Sequence, residues 1–237
     1  IVELCEQKKI LLIEDCAQAI GSQYKNKPLG IFGAMSSFSF HYTKNIAAGE
    51  GGALVTNSNV FGERAEIIRE KGTNRKQFLR GTVDKYTWVD VGSSFLPSEL
   101  SAAFLWGQLE DCEIINALRL KAWDAYHQGL GELEQKNLLK RQVIPAYAKH
   151  NAHMYYIILP TDEHSVQLQK YLREQDIHAH SHYVSLHSSP FGKKIGRVAG
   201  KMTHTEALSS RLLRLPMFCG VDKEVPMICD HISKLLN

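Results

Sequence analysis

The stretch Ser36-Ser37-Phe38-Ser39-Phe40-His41-Tyr42-Thr43-Lys44-Asn45 decides the reading of the fold. Serine and phenylalanine alternate with period two over 36–40, the pattern of a strand, and the polar run from His41 to Asn45 reads as the loop that leaves it. Upstream, Ile10-Leu11-Leu12-Ile13 reads as a second, buried strand that ends on two acids, Glu14-Asp15, and a run of small residues, 16–22. Lys25–Gly30 has turn chemistry. Downstream, Gly49-Glu50-Gly51-Gly52 precedes a third strand, Ala53–Thr56.

Working outward, Val2–Glu6 reads as the last turns of a helix. Asn57 or Ser58 can cap a helix that runs to Lys71 and stops at Gly72. Thr73–Asp90 is polar and aperiodic, and a connection of that length is usually functional. Helical spacing resumes at Pro97, which suits the first helical position, and a second helical stretch covers Ile114–Leu133. Polar residues at 134–142 mark a boundary. Beyond them come a strand (Met154–Leu159), a helix (Val166–Gln175), a strand near Ile177–His180 and a last helix after Asp222. Alternating strands and helices predict an α/β protein, with residues 1–135 in a larger domain and 136–237 in a smaller α+β one.

Composition narrows the class. Of 237 residues, 44% are hydrophobic and 22% charged, which excludes wholesale disorder, collagen and coiled coil. The net charge of +3 is spread along the chain, so neither nucleic acid nor a membrane surface is an expected partner. The longest strongly apolar run, Met154–Leu159, is far short of a bilayer span. Five cysteines without a CxxC pair argue against a disulfide framework and against a zinc site, and no metal is expected. A cytoplasmic protein with reduced thiols fits. The chain opens at Ile1 inside a helix-then-strand pattern, which leads us to expect that an N-terminal part of a longer protein precedes it.

Three features carry chemistry. Asp15 stands at the carboxyl end of a strand, where open α/β sheets bind ligands; the alternative is a cap on the next helix. Ser39 and Lys44 follow one another at the end of the second strand, and a lysine amine delivered there can form a Schiff base with a carbonyl cofactor; the alternative is a solvated surface lysine. The Gly49–Gly52 cluster is the third, with a plain turn as its alternative. An amine, an anion and a hydroxyl together match the needs of pyridoxal phosphate.

Glu14-Asp15-Cys16-Ala17-Gln18, Phe38–Asn45 and Gly49–Gly52 resemble the core of the DegT/StrS sugar aminotransferases, and the similarity extends over nearly all 237 residues. The resemblance implies a fold-type-I pyridoxal-phosphate enzyme, aspartate aminotransferase-like, with a mixed sheet in its large domain. It implies that Lys44 is the Schiff-base lysine, that Asp15 faces the pyridine nitrogen, that Gln18 lies beside the ring and its phenolic oxygen, and that Ser39 binds the phosphate. Many members have Asn where Ser94 stands, reaching the cofactor phosphate of the neighbouring subunit, so a homodimer with composite sites is implied. L-glutamate would be the amino donor and a dTDP-linked 4-keto-6-deoxy sugar the acceptor. The loop Thr73–Trp88 and the stretch His178–His187 are candidates for sugar-nucleotide contacts, ordinary surface or turn positions being the alternative for the histidines. Leu96-Pro97 departs from the Arg-Met of many members. The family's N-terminal phosphate loop and stacking aromatic ring have no counterpart here, so a non-catalytic, truncated chain is one alternative. A related branch of sugar dehydratases has histidine in place of the lysine, and Lys44 argues against it.

Overall fold

Residues 1–237 are described by a computed structural model in which packing divides the chain into two units, 1–115 with 146–151, and 116–145 with 152–237. In chain order the elements of the first are α1 (Val2–Lys8), β1 (Ile13–Asp15), β2 (Gln23–Tyr24), β3 (Lys27–Pro28), β4 (Met35–Ser39), β5 (Gly52–Thr56), α2 (Asn59–Arg69), α3 (Arg75–Leu79) and α4 (Glu99–Glu110). Then come α5 (Cys112–Gly129), α6 (Gly131–Gln135), β6 (Lys140–Arg141), β7 (Ala148–Lys149), β8 (Tyr155–Ile158), α7 (Asp162–Glu174), β9 (His180–Ser181), α8 (Pro190–Ile195), α9 (Thr203–Ser209), β10 (Leu212–Leu215) and α10 (Val225–Leu236). Of these late elements β7 and the first turn of α5, up to Ile115, belong to the first unit. The break expected after residue 135 falls inside the second unit.

The first unit is built on a mixed sheet of order β1-β4-β5. β1 and β4 run parallel, pairing Ile13 with Met35, Glu14 with Ser36 and Asp15 with Ser37. β5 returns antiparallel, from Thr56 beside Met35 to Gly52 beside Ser39. Gly52 is required there, since a Cβ would stand 2.7 Å from the carbonyl oxygen of Phe38. A second sheet, β3-β2-β7, begins as a tight hairpin whose turn residues Lys25 and Asn26 have φ of 47° and 62°. Two successive left-handed residues match the right-handed twist of the strands they join.

Glu14 holds the entry to β4. Its carboxylate accepts from the backbone N–H of Gly30 at 2.9 Å and from those of Phe32 and Gly33 at 2.7 Å each. Gly33 lies so close to β1 that a Cβ would meet the Leu12 carbonyl oxygen at 2.5 Å.

The second unit has an antiparallel sheet, β6-β8-β10-β9. Buried and half-buried residues alternate along β8 and β10, so Tyr155, Ile157, Leu213 and Leu215 face one core. On α7 the buried residues are Ser165, Leu168 and Leu172, and on α10 Val225, Ile228, Cys229 and Ile232, each set at three- and four-residue steps that make one stripe. Fully burying one such Leu or Ile is worth about 1.5–3 kcal/mol. Tyr126 stacks on Tyr155 with ring centroids 5.0 Å apart and donates its hydroxyl to Pro216 O at 3.0 Å. That bond satisfies a hydroxyl in a side chain that is wholly buried.

Several expectations need correction. The strand expected at Ile10–Ile13 is Ile13–Asp15, because its parallel partner β4 begins opposite Ile13, and Ile10, Leu11 and Ile13 are each about 60% exposed rather than buried. Pro97 is not the first helical residue. Ser98 is the N-cap of α4, its Oγ accepting from Ser101 N at 3.1 Å, so the proline stands outside the helix. The polar stretch 73–90 contains a short helix, α3, and is pinned by the bridge Thr73–Trp88 and by Asn74, whose side-chain oxygen accepts from Thr87 N at 2.7 Å. The helix expected over 114–133 is broken at Leu130 into α5 and α6. All five cysteines are free thiols, and no helix is long and apolar enough to cross a membrane.

Candidate active site

The register of β1 against β4 fixes the geometry. Asp15 is the last residue of β1 and lies opposite Ser37; Ser39, the last residue of β4, is two residues further toward the same end of the sheet, about 7 Å along the strand. Both side chains therefore stand at the carboxyl end of parallel strands. Asp15 does not cap a helix, because residues 16–20 form turns. Its Oδ1 accepts from Ala17 N at 3.0 Å, which fixes one carboxylate oxygen of an exposed residue and leaves the other for a ligand. Ser39 Oγ accepts from His41 N at 3.3 Å, so its own O–H remains to be given to a ligand.

Beyond Ser39 the β4–β5 ladder continues for two more steps, with Phe40 N donating to Gly51 O at 2.9 Å and Tyr42 N to Gly49 O at 2.7 Å. The glycine cluster thus closes a hairpin whose tip carries Lys44. Left-handed φ at Gly49 (81°) and an unusual φ at Gly51 (151°) explain why glycine serves here. Lys44 is half-buried, and its N–H donates to His41 O at 2.9 Å. His41 turns its Nδ1 to Thr43, accepting from Thr43 N at 3.2 Å, and its Nε2 lies 3.6 Å from Glu50. Asn45 and Ile46, both buried, anchor the tip from below.

Gln18 is exposed in the turn after β1, and its carbonyl accepts from Asn151 Nδ2 at 2.9 Å. Cys16, between Asp15 and Gln18, is 3% exposed. Burial first, and then the Glu14 and Asp15 carboxylates, push its thiol upward, so it stays neutral beside them. Asp15, Gln18, Ser39 and Lys44 are therefore brought to one end of one sheet. Ser94 is tied instead to the end of α2, bridging to Glu70 on an exposed segment whose neighbour Ser93 accepts from Lys71 N at 3.0 Å and donates to Ile68 O at 2.9 Å. The histidines of 178–187 lie in the second unit, where His178 approaches Asp176 at 3.4 Å and His187 approaches Glu206 at 3.2 Å.

Sequence reasoning missed the residues that hold this end together. In the sequence Glu14 is one of two adjacent acids, and nothing there shows its three backbone partners. Asn45 and Asn151 stand in recognisable segments, but their pairing has no local signal, since their partners are distant in sequence.

The donor set suits pyridoxal phosphate: one amine, one carboxylate with an unbonded oxygen, one hydroxyl with an unused proton, and a glycine-closed loop. Comparisons with known proteins give the family. The sequence profile of the DegT/DnrJ/EryC1/StrS aminotransferase family matches residues 1–233. An uncharacterized protein of Methanocaldococcus jannaschii is 28% identical over 245 residues, covering 100% of this chain and 63% of its own length. GDP-perosamine synthase of Escherichia coli O157:H7 is 30% identical over 239 residues, covering 100% of this chain and 61% of its own. The crystal structure of PseC from Helicobacter pylori, an aminotransferase involved in the biosynthesis of pseudoaminic acid, superimposes with a TM-score of 0.88 at 23% identity, covering 100% of this chain and 62% of that one. The chain spans about three fifths of the length of the curated relatives it matches over its whole extent.

Proposed function

The chain belongs to the DegT/DnrJ/EryC1/StrS aminotransferase family, with the fold-type-I architecture of that family, and from this membership we propose that its protein transfers an amino group to a nucleotide-linked keto sugar using pyridoxal phosphate. The observation that carries the reading is the parallel register of β1 and β4, which sets Asp15 and Ser39 at the sheet end reached by the Lys44 loop. Residues 1–135 are read as the C-terminal portion of the cofactor-binding domain with its connecting helices, and 136–237 as the small domain.

When bound, the cofactor supplies an aldehyde that takes up the amino group and a ring that withdraws electrons from the donor's Cα–H bond. Lys44 would hold the aldehyde between turnovers. Freed by the donor amine, the Lys44 amine would move the donor's Cα proton to the former aldehyde carbon, across the nitrogen that separates the two, acting as base and then as acid. The second oxygen of Asp15 would hold the proton on the pyridine nitrogen. Ser39 Oγ would donate to the phosphate, and the Gln18 amide would serve the ring's phenolic oxygen.

For the substrate pair, Arg69–Arg75, Val83–Trp88, Asn151–Met154 and Leu212–Pro216 resemble dTDP-4-amino-4,6-dideoxygalactose transaminase of enterobacterial common antigen synthesis. We assign L-glutamate as donor and dTDP-4-dehydro-6-deoxyglucose as acceptor, with 2-oxoglutarate and dTDP-4-amino-4,6-dideoxygalactose as products. The Ser94 segment is assigned to a two-fold interface at which each subunit completes the other's site. Borohydride treatment of the full-length protein with cofactor, followed by peptide mass mapping, should place the reduced adduct on Lys44. An adduct on another lysine, or none, refutes the site, and transfer of nitrogen from glutamate to the dTDP-sugar tests the substrates separately.

A further inference from the structure

The two loops of the site grow from different strands, and a residue far along the chain joins them. Asn151 is 5% exposed and directs Nδ2 at two carbonyls of the turn after β1, Gln18 O at 2.9 Å and Ile20 O at 3.0 Å. Its own backbone carbonyl accepts from Asn45 Nδ2 at 2.7 Å, and Asn45, next to Lys44, is 6% exposed. The segment that carries Asn151 is itself held to the first unit. Lys25 N donates to Tyr147 O at 2.7 Å, and β7 pairs with β2 through Gln23–Lys149 and Tyr24–Ala148.

The β4–β5 ladder fixes the root of the Lys44 hairpin at Phe40 and Tyr42 but leaves its tip to other contacts. One of these is the Asn45 amide, which ties the tip to the backbone of Asn151, whose own side-chain amide continues the link to the turn after β1. Buried amide–carbonyl bonds are costly to break, because each leaves a desolvated partner behind.

We propose that Asn45 and Asn151 form a positioning clamp that sets the Lys44 amine relative to the Asp15–Gln18 turn, so that the amine is presented to the carbon whose proton it moves. Neither asparagine touches substrate in this assignment; each acts through Lys44. The inference rests on the reading of Lys44 as the amine that holds the cofactor. A misplacement near 1 Å costs on the order of 100-fold in rate, so the clamp belongs to turnover rather than to donor affinity.

The test uses the full-length protein loaded with pyridoxal phosphate, with Asn45→Ala, Asn151→Ala and the double variant. Each single variant should lose roughly 10- to 100-fold in kcat while KM for the amino donor stays within about threefold. The pH midpoint of the bound cofactor's visible absorbance should move by about 0.5 unit or more, a readout that loosened packing elsewhere would not shift. The double variant should lose no more than the weaker single one, since opening either end releases the same clamp. If an alanine variant does not fold, Asn45→Ser, which keeps a donor on a shorter stem, carries the same measurements. Folded variants with unmoved midpoints and unchanged kcat overturn the clamp while borohydride still fixes the cofactor on Lys44. Failure of that fixation in the unaltered protein overturns the site reading and the clamp with it.

Discussion

Replacing Glu14 by glutamine tests whether the entry to β4 is held as described. The carboxylate accepts three backbone N–H groups, two on one oxygen at 2.7 Å each and one on the other at 2.9 Å. Glutamine keeps one acceptor oxygen for Phe32 and Gly33 but points an NH2 at the N–H of Gly30, so one bond becomes a donor facing a donor. Hydrogen bonds to a charged acceptor are worth about 1.5–3 kcal/mol and neutral ones about 1. One lost bond and two weakened ones, discounted for a half-buried side chain, give a cost of about 2–3 kcal/mol. That is a sizeable share of a stability of about 5–15 kcal/mol. Urea unfolding of the variant gives the global cost, and hydrogen exchange at the amides of Gly30, Phe32 and Gly33 gives the local one. A cost below about 0.5 kcal/mol with all three amides still protected would refute the argument.

Asp15→Asn keeps shape but removes the charge assigned to the pyridine nitrogen, so cofactor content should survive while kcat falls by about 100-fold or more; near-normal turnover would leave Asp15 only its turn-forming bond to Ala17. His127 stacks on Trp123 at 4.6 Å, and burial, with Arg141 beside it, holds its imidazole below the usual 6.5. The unfolded chain then takes the proton first, so stability should be lost as pH falls below 6.5, and His127→Gln should flatten that slope in pH-dependent urea unfolding. Burial pushes the Cys229 thiol up to about 12, whereas Cys219 is exposed. Iodoacetamide at mild alkaline pH should therefore label Cys219 in the native protein and spare Cys229 until it unfolds, an order that peptide mass mapping reads directly.

Strand β4 was legible because Phe38 and Phe40 alternate with serine, a signal with its own period; the structure moves it by one residue. The end of β1 was harder. Ile10–Ile13 is the apolar run, yet pairing is decided by what β4 offers, and it begins at Ile13 and continues into the acids. The Lys25-Asn26 turn was visible, but two-residue strands such as Gln23–Tyr24 and Lys27–Pro28 are too short to show any period. Lys44, Asp15, Gln18 and Ser39, the residues proposed for the site, stand in local motifs, and the structure brings them to one end of one sheet. The contact that joins their loops was not legible, because Asn45 and Asn151 meet across 106 residues and no local motif shows which distant residue a side chain reaches.

The late segment 146–151, which completes the first unit, also sets the order in which that unit can be built. Asn151 reaches Gln18 across 133 residues and Asn45 across 106. Closing a loop of that length costs about 2 kcal/mol more in chain entropy than closing one of ten residues. On the ribosome the two site loops emerge long before the residue that joins them, at roughly 5–20 residues per second. Until residue 151 is free, the β1–β4 pairing joins the two loops at their roots, but the tip of the hairpin lacks its tie to the turn after β1 through Asn151. Mutations at Asn45 or Asn151 should accordingly speed unfolding far more than they slow folding, the signature of contacts made after the transition state. The tie between the tips of the two site loops is thus the last contact at that end of the sheet for which both partners become available.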